Sequence, residues 1–192
     1  MSPDPIAQFH RWFASASKNK EAMPNACALA TADLRGRPSV RFVLLKGADK
    51  RGFVFYTHTD SRKGRELGAN PRAALAFYWD KAGRQVRVSG SVRRVLDSEA
   101  DAYWKTRPRL SQVGAWASAQ SAPLDSRAAL LARAARTALK YRGKPVPRPP
   151  TWTGFRVSPQ AIEFWTRKSF RMHHRELFVK KGNSWKRLFL QP

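Results

Sequence analysis

Four groups of cations, hydroxyls and aromatic residues carry whatever chemistry this chain performs. The first is Arg41-Phe42-Val43-Leu44-Leu45-Lys46, an apolar run with a cation at each end. A period of two places Arg41, Val43 and Leu45 on one strand face and Lys46 on the other. The second is Ser61-Arg62-Lys63 at the start of a helix. Cations there oppose the helix dipole unless an anion joins them, so the pair either gathers a phosphate or is simply solvated. The third is Tyr103, Arg107 and Ser111, each four residues from the next. A continuous helix would stack phenol, guanidinium and hydroxyl on one side as a second phosphate site. Pro108 interrupts such a helix, leaving a turn to converge them or each to serve its own packing. The fourth is Arg171 and His173, two apart on an expected strand and so on one face, as are Gln85 and Arg87.

Other chemistries lack their residues. There is no G-x-x-x-x-G-K-S/T and no G-x-G-x-x-G, so neither a P-loop nor a dinucleotide fingerprint is expected. His10, His58, His173 and His174 offer no zinc spacing, and no G-x-S-x-G marks a serine nucleophile. The lone cysteine, Cys27, sits among small apolar residues; it forms no intrachain disulfide and reads as core.

The elements that must position these groups follow from local signals. The 192 residues, 42% of them hydrophobic with seven Trp and eleven Phe, suit one domain over 1–192 with a substantial core. Asp4 caps an N-terminal helix within 1–20, with Ile6, Phe9, Trp12, Phe13 and Ala16 at helical spacing. Strands are expected at 26–32, 39–46 and 53–57, joined by Gly-containing turns into an antiparallel meander. A short helix capped by Asp60-Ser61 ends before Pro71. A hairpin pairs 73–79 with 84–95, Asp97 caps a helix through Thr106, and a longer helix runs 124–141. Four prolines within 144–150 form an extended connector. Strands at 154–157, 162–165, 171–180 and 185–190 finish the chain. The fold class is α+β, a closed or nearly closed barrel of mainly antiparallel strands with flanking helices.

Charge sets the kind of ligand. Thirty-seven Lys and Arg against thirteen Asp and Glu give +24, spread along the whole chain. Such a surface attracts polyanions. Its dispersal fits small phosphorylated ligands, and specific nucleic-acid binding is not expected. No apolar run is long enough to span a membrane. Met1-Ser2-Pro3-Asp4-Pro5 lacks a signal pattern, so the cytoplasm is the expected compartment.

Taken in order, these groups resemble the pyridoxamine/pyridoxine 5'-phosphate oxidase family over essentially the whole chain. The matching segments are R-F-V-L-L-K (41–46), F-Y-T (55–57), S-R-K (61–63), N-P-R (70–72), R-Q-V (84–86), R-P-R-L-S-Q-V-G-A-W (107–116), Q-S (120–121), G-F-R-V-S-P (154–159), I-E-F-W (162–165) and R-M-H-H-R (171–175). The resemblance implies an FMN-binding split β-barrel that holds FMN at a homodimer interface, with 144–192 supplying dimerisation and active-site strands. It implies FMN contacts at Arg41, Phe42, Val43, Leu44, Leu45, Lys46, Tyr56, Thr57, Arg62 and Lys63, and at Gln85, Gln120, Ser121, Trp165 and Arg175. Substrate contacts fall on Lys46, Tyr103, Arg107, Ser111, Arg171 and His173, the last two lying over the pyridine ring as catalytic residues. The implied reaction oxidises pyridoxamine or pyridoxine 5'-phosphate with molecular oxygen to pyridoxal 5'-phosphate. The alternatives are a split-barrel flavoprotein with another substrate, and a non-catalytic binder of pyridoxal phosphate or nucleic acid. The chain departs from the family pattern at Met23, His174 and Phe189, and has Thr153-Gly154 where a glycine pair is usual. It also starts without the N-terminal extension that covers the substrate in some members.

Overall fold

The computed structural model describes residues 4–192; Met1 to Pro3, with their part of the N-terminal reading, lie outside them. Helix α1 (Pro5–Lys18) starts as its residues require, because the Asp4 carboxylate accepts the Ile6 and Ala7 N–H groups at 2.9 and 3.2 Å. Its Phe9 is driven into the barrel, edge-to-face with Phe53 and Phe77 at 4.9 and 5.2 Å. There follow β1 (Ala26–Ala32), β2 (Pro38–Leu44), β3 (Gly47–Asp49), β4 (Gly52–His58), α2 (Arg62–Ala69), β5 (Arg72–Trp79) and β6 (Arg84–Arg94). Helices α3 (Asp97–Thr106), α4 (Arg109–Ala117) and α5 (Arg127–Lys140) precede β7 (Trp152–Thr166), β8 (His174–Lys181) and β9 (Ser184–Phe189).

The strands form one antiparallel sheet in the order β2-β1-β5-β6-β7-β4-β3, with β8 and β9 continuing from β7. The sheet curls until its ends meet: Leu45 donates to Asn25 while the next amide, Lys46, donates to Val54 on β4 at 2.8 Å. A register shift at Ser89/Gly90 bends β6 over β7. Gly90 is required there because a Cβ would collide with the Ser158 carbonyl. The barrel is filled by Leu29, Phe53, Phe55, Leu75, Phe77, Val86, Val88, Ile162 and Phe164. A second cluster, built on Trp104, Val113, Val146 and Trp152, lies beneath α3 to α5.

Five sequence expectations change. Strand β4 pairs with β7 and β3, not β2, so the first three strands are no simple meander. The two strands expected at 154–157 and 162–165 are a single 15-residue β7, because the bulge lets Pro159 sit in a strand without breaking it. Asp97 is the first helical residue and caps nothing; its carboxylate pairs with Arg148. The helix at 124–141 shortens to α5, capped by Ser126, and the unforeseen α4 begins directly after Pro108. Arg171 lies in a 3-10 turn (Ser169–Arg171) and His173 just before β8, so they do not share a strand face.

Candidate active site

Residues remote in sequence converge on one cleft of about 370 Å³. Phe42, Val43, Leu44 and Lys46 supply one wall from β2 and its end, and Tyr56 and Thr57 a second from β4. Lys63 enters from α2 and Gln120 from the loop after α4, while Tyr103, Arg107 and Ser111 come from the α3–α4 turn. The turn achieves what the broken helix could not. Arg107 before Pro108 is held extended, at φ −73° and ψ 141°.

Lys63 is the buried charge of the site. Ser61 caps α2 by accepting the Gly64 N–H at 3.2 Å, which fixes the turn that projects Lys63 inward. The ammonium donates to Thr57 Oγ1 and Gln120 Oε1 at 3.2 and 2.9 Å, both neutral. Burial, helped by the Arg41 charge and opposed by Glu66, pushes its pKa down to about 8. Among the described residues, no carboxylate lines this cleft.

Arg41 and Arg62 were expected beside it, and both turn elsewhere. Arg41 donates to Thr31, Ser39 and the Leu29 carbonyl and lies 3.3 Å from Glu66. The Arg62 Nε donates to Glu66 at 2.9 Å, on the outer side of α2. Burial pushes the Glu66 carboxyl up, but hydrogen bonds from Ser39, Thr31 and Arg62 with the Arg41 charge outweigh it, leaving its pKa at about 2. This ionised knot locks α2 onto β1 and β2. Leu45 is core, and Ser121 is exposed beside Gln120 at φ +73°.

The wall opposite β2 is aromatic. Tyr56 and Tyr103 stack at 4.1 Å between centroids, and Trp152 stacks on Tyr56 at 5.1 Å. Burial, with Glu99 and Tyr103 adding to it, pushes the Tyr56 phenol up to about 12, so it stays protonated. Trp152 lines the cleft and was not among the residues read from sequence. Only its register, opposite His58 at the start of β7, brings it there.

Gln85, Trp165, Arg171, His173 and Arg175 gather at the other end of β7. Gln85 and Arg175 flank Trp165 on neighbouring strands, and the Arg175 Nε donates to Glu163 at 2.9 Å. The His173 ring packs on Trp165 at 4.6 Å, and its Nδ1 accepts the Lys168 N–H at 3.2 Å. Neutral His173 therefore carries its proton on Nε2, as a donor. Trp152 and Trp165 are separated by roughly 40 Å of strand contour, and none of this second group lines the cleft.

A curled antiparallel barrel bearing a basic, aromatic-walled cleft defines the split-barrel class. Residues 16–141 match the pyridoxamine 5'-phosphate oxidase family model, and residues 152–192 match the pyridoxine 5'-phosphate oxidase C-terminal dimerisation region. The chain belongs to the pyridoxamine 5'-phosphate oxidase family. It is 55% identical over 190 residues to the pyridoxine/pyridoxamine 5'-phosphate oxidase of Rubrobacter xylanophilus, covering 99% of this chain and 88% of that one. It is 53% identical over 192 residues to that of Sphingopyxis alaskensis, covering 100% and 89%. Among solved structures, PhzG from Burkholderia lata, bound to tetrahydrophenazine-1-carboxylic acid, superposes with a TM-score of 0.94 at 40% identity, covering 98% and 93%. A pyridoxamine 5'-phosphate oxidase-related, FMN-binding protein from Nostoc punctiforme shares the fold with a TM-score of 0.80 at 17% identity, both chains fully covered.

Proposed function

We propose that this protein is a cytoplasmic, homodimeric, FMN-dependent oxidase of pyridoxamine and pyridoxine 5'-phosphates. The observation that carries the reading is a cleft holding Lys46, Lys63 and Arg107 with no carboxylate to neutralise them. Two separate places suit phosphates. One is Lys63 with Thr57 at the α2 N-terminus, for the cofactor. The other is Arg107 with Lys46, Tyr103 and Ser111, for the substrate. The Arg107 Nη1 is buried without a partner, as a group awaiting an anion would be.

The residues also fit the flavin ring. The Leu45–Asn25 bond sets the ladder so that the Phe42 and Leu44 backbone groups face away from β1, toward the cleft. A flat heterocycle with donors and acceptors on its edge suits such a strand. The group around Trp165 is a second half-site, largely half-buried on each chain, and a partner subunit completes each cleft with it. Gln85, Trp165 and Arg175 then join the cofactor side, and Arg171 and His173 the substrate side. Arg62 and Arg41 support the α2 N-terminus from behind through Glu66.

When bound, FMN supplies a hydride acceptor that oxygen reoxidises to give hydrogen peroxide. The protein positions and shields. Arg107, Lys46, Tyr103 and Ser111 fix the substrate phosphate, so the C4' carbon has one place to lie. His173 donates through Nε2 to orient the ring, and Arg171 supplies charge at its other side. The amine and oxygen with water give aldehyde, ammonia and hydrogen peroxide; the alcohol and oxygen give aldehyde and hydrogen peroxide. The likeness to PhzG supports a second reading, in which Arg107 receives the carboxylate of a larger ring.

Oxygen uptake and aldehyde formation by FMN-supplemented protein test this. Pyridoxamine 5'-phosphate should be consumed and unphosphorylated pyridoxamine should not. A protein that binds no FMN, or binds it and oxidises neither vitamer phosphate, overturns the reading.

A further inference from the structure

Arg107 lacks the support an arginine usually has. Among the described residues no carboxylate pairs with it, and its Nη1 is buried with no hydrogen-bond partner. Two indoles hold it instead. Its guanidinium carbon lies 4.8 Å from the Trp152 ring centroid and 5.1 Å from that of Trp104. An acidic partner would fix the side chain but would cancel the charge that a phosphate needs. An aromatic face attracts the cation and leaves its charge and its N–H donors free.

Trp152 is itself firmly placed. It is buried, and its N–H donates to the Pro149 carbonyl at 2.9 Å. Its carbonyl accepts from Arg148 at 2.8 Å, and Arg148 pairs with Asp97 and Asp101 of α3. Trp104 meets it edge-on at 4.9 Å, anchored by its own Nε1 to the Val146 carbonyl at 2.8 Å. Tyr56 stacks on the Trp152 ring and lies across Gly154, where any Cβ would press on the phenol at 2.8 Å. The same indole therefore contacts both Arg107 and the stacked Tyr56–Tyr103 pair.

We propose that Trp152 is a positioning residue that holds Arg107 by cation–π contact, in place of an ion pair, and so sets the affinity of the cleft for a phosphate monoester. The proposal rests on the reading of Arg107 as the substrate-phosphate ligand.

The test is a double-mutant cycle on the FMN-loaded protein, with Trp152→Leu and Trp152→Phe each made in the wild-type and Arg107→Met backgrounds. Readouts are KM and kcat for pyridoxamine 5'-phosphate, calorimetric binding of pyridoxal 5'-phosphate, and FMN content. In the wild-type background the Leu variant should raise KM and the pyridoxal 5'-phosphate Kd by about tenfold, and the Phe variant by about threefold, since a smaller ring attracts the cation less. kcat and FMN content should stay within about twofold. In the Arg107→Met background both effects should vanish, because Trp152 acts through Arg107. If the Leu variant does not fold, the Phe cycle alone decides. Penalties that add in full across the two backgrounds, or a fall in kcat and FMN content with unchanged KM, overturn the proposal. If Arg107→Met itself leaves both affinities unchanged, the reading of Arg107 fails instead.

Discussion

Replacing Lys63 with Met probes the cofactor side most directly, since it keeps the alkyl stem and removes only the buried charge. The ammonium contacts three neutral oxygens, on Thr57, Ser61 and Gln120. Its pKa falls from 10.5 to about 8, which corresponds to about 3 kcal/mol against the charged form. Met is free of that penalty, so the cofactor-free variant should unfold no more easily than wild type. FMN binding should move the other way. A charge-assisted hydrogen bond to phosphate is worth roughly 1.5–3 kcal/mol, or about 10- to 150-fold in Kd. The pH profile carries the sign. A phosphate raises the lysine pKa on binding, so its contribution is complete below about pH 8. It is then lost as pH climbs through the value in the complex. Wild-type affinity should therefore fall above about pH 8, by up to tenfold per unit, while the Met variant stays flat. Flavin fluorescence titrations from pH 7 to 9.5 measure both. Equal affinities, or identical pH profiles in the two proteins, would refute the assignment of Lys63 to the phosphate.

Three further outcomes follow from the geometry. Mixing Arg107→Met and His173→Ala dimers, each impaired at substrate levels well below the raised KM or in turnover, then letting subunits exchange, should raise activity toward about one quarter of wild type, because each heterodimer holds one intact composite site; no gain would place both half-sites' work within one chain. Glu66→Ala should cost about 1.5–3 kcal/mol in urea unfolding, since the half-buried Arg41 loses its carboxylate and Thr31, Ser39 and Arg62 lose a charged acceptor. The stability that Glu66 contributes in wild type is present above the ordinary carboxylate pKa of 4.5 and is lost as pH falls toward about 2. Gly154→Val should destabilise by roughly 1–3 kcal/mol and displace Tyr56, because its Cβ would meet Val95 at 2.7 Å and the Tyr56 ring at 2.8 Å; thermal unfolding and FMN content report the two effects.

What the sequence determined by itself is local. The Asp4 and Ser61 caps, the turns at Gly36, Gly83 and Gly182, the strand at β1 and the alternation along β2 all depend on residues within a few positions. Each therefore came through with its boundaries nearly intact. The order of the clusters also carried the family, since side-chain types at strand ends survive without knowledge of which strands touch. Pairing was another matter. That β4 lies against β7, and that the barrel closes through Lys46 and Val54, depends on contacts far apart in the chain. Arg41 reads as a cleft residue until Glu66, 25 positions on, draws it behind the site. Trp152 follows the proline-rich connector with no role legible from sequence until the register of β7 sets it against Tyr56, Trp104 and Arg107. Arg171 reads as a strand residue until the backbone turns at Phe170 and Arg171, with φ of +54° and +60°. A buried charge settles on whatever partner the fold brings within reach, and only the tertiary structure decides which partner that is.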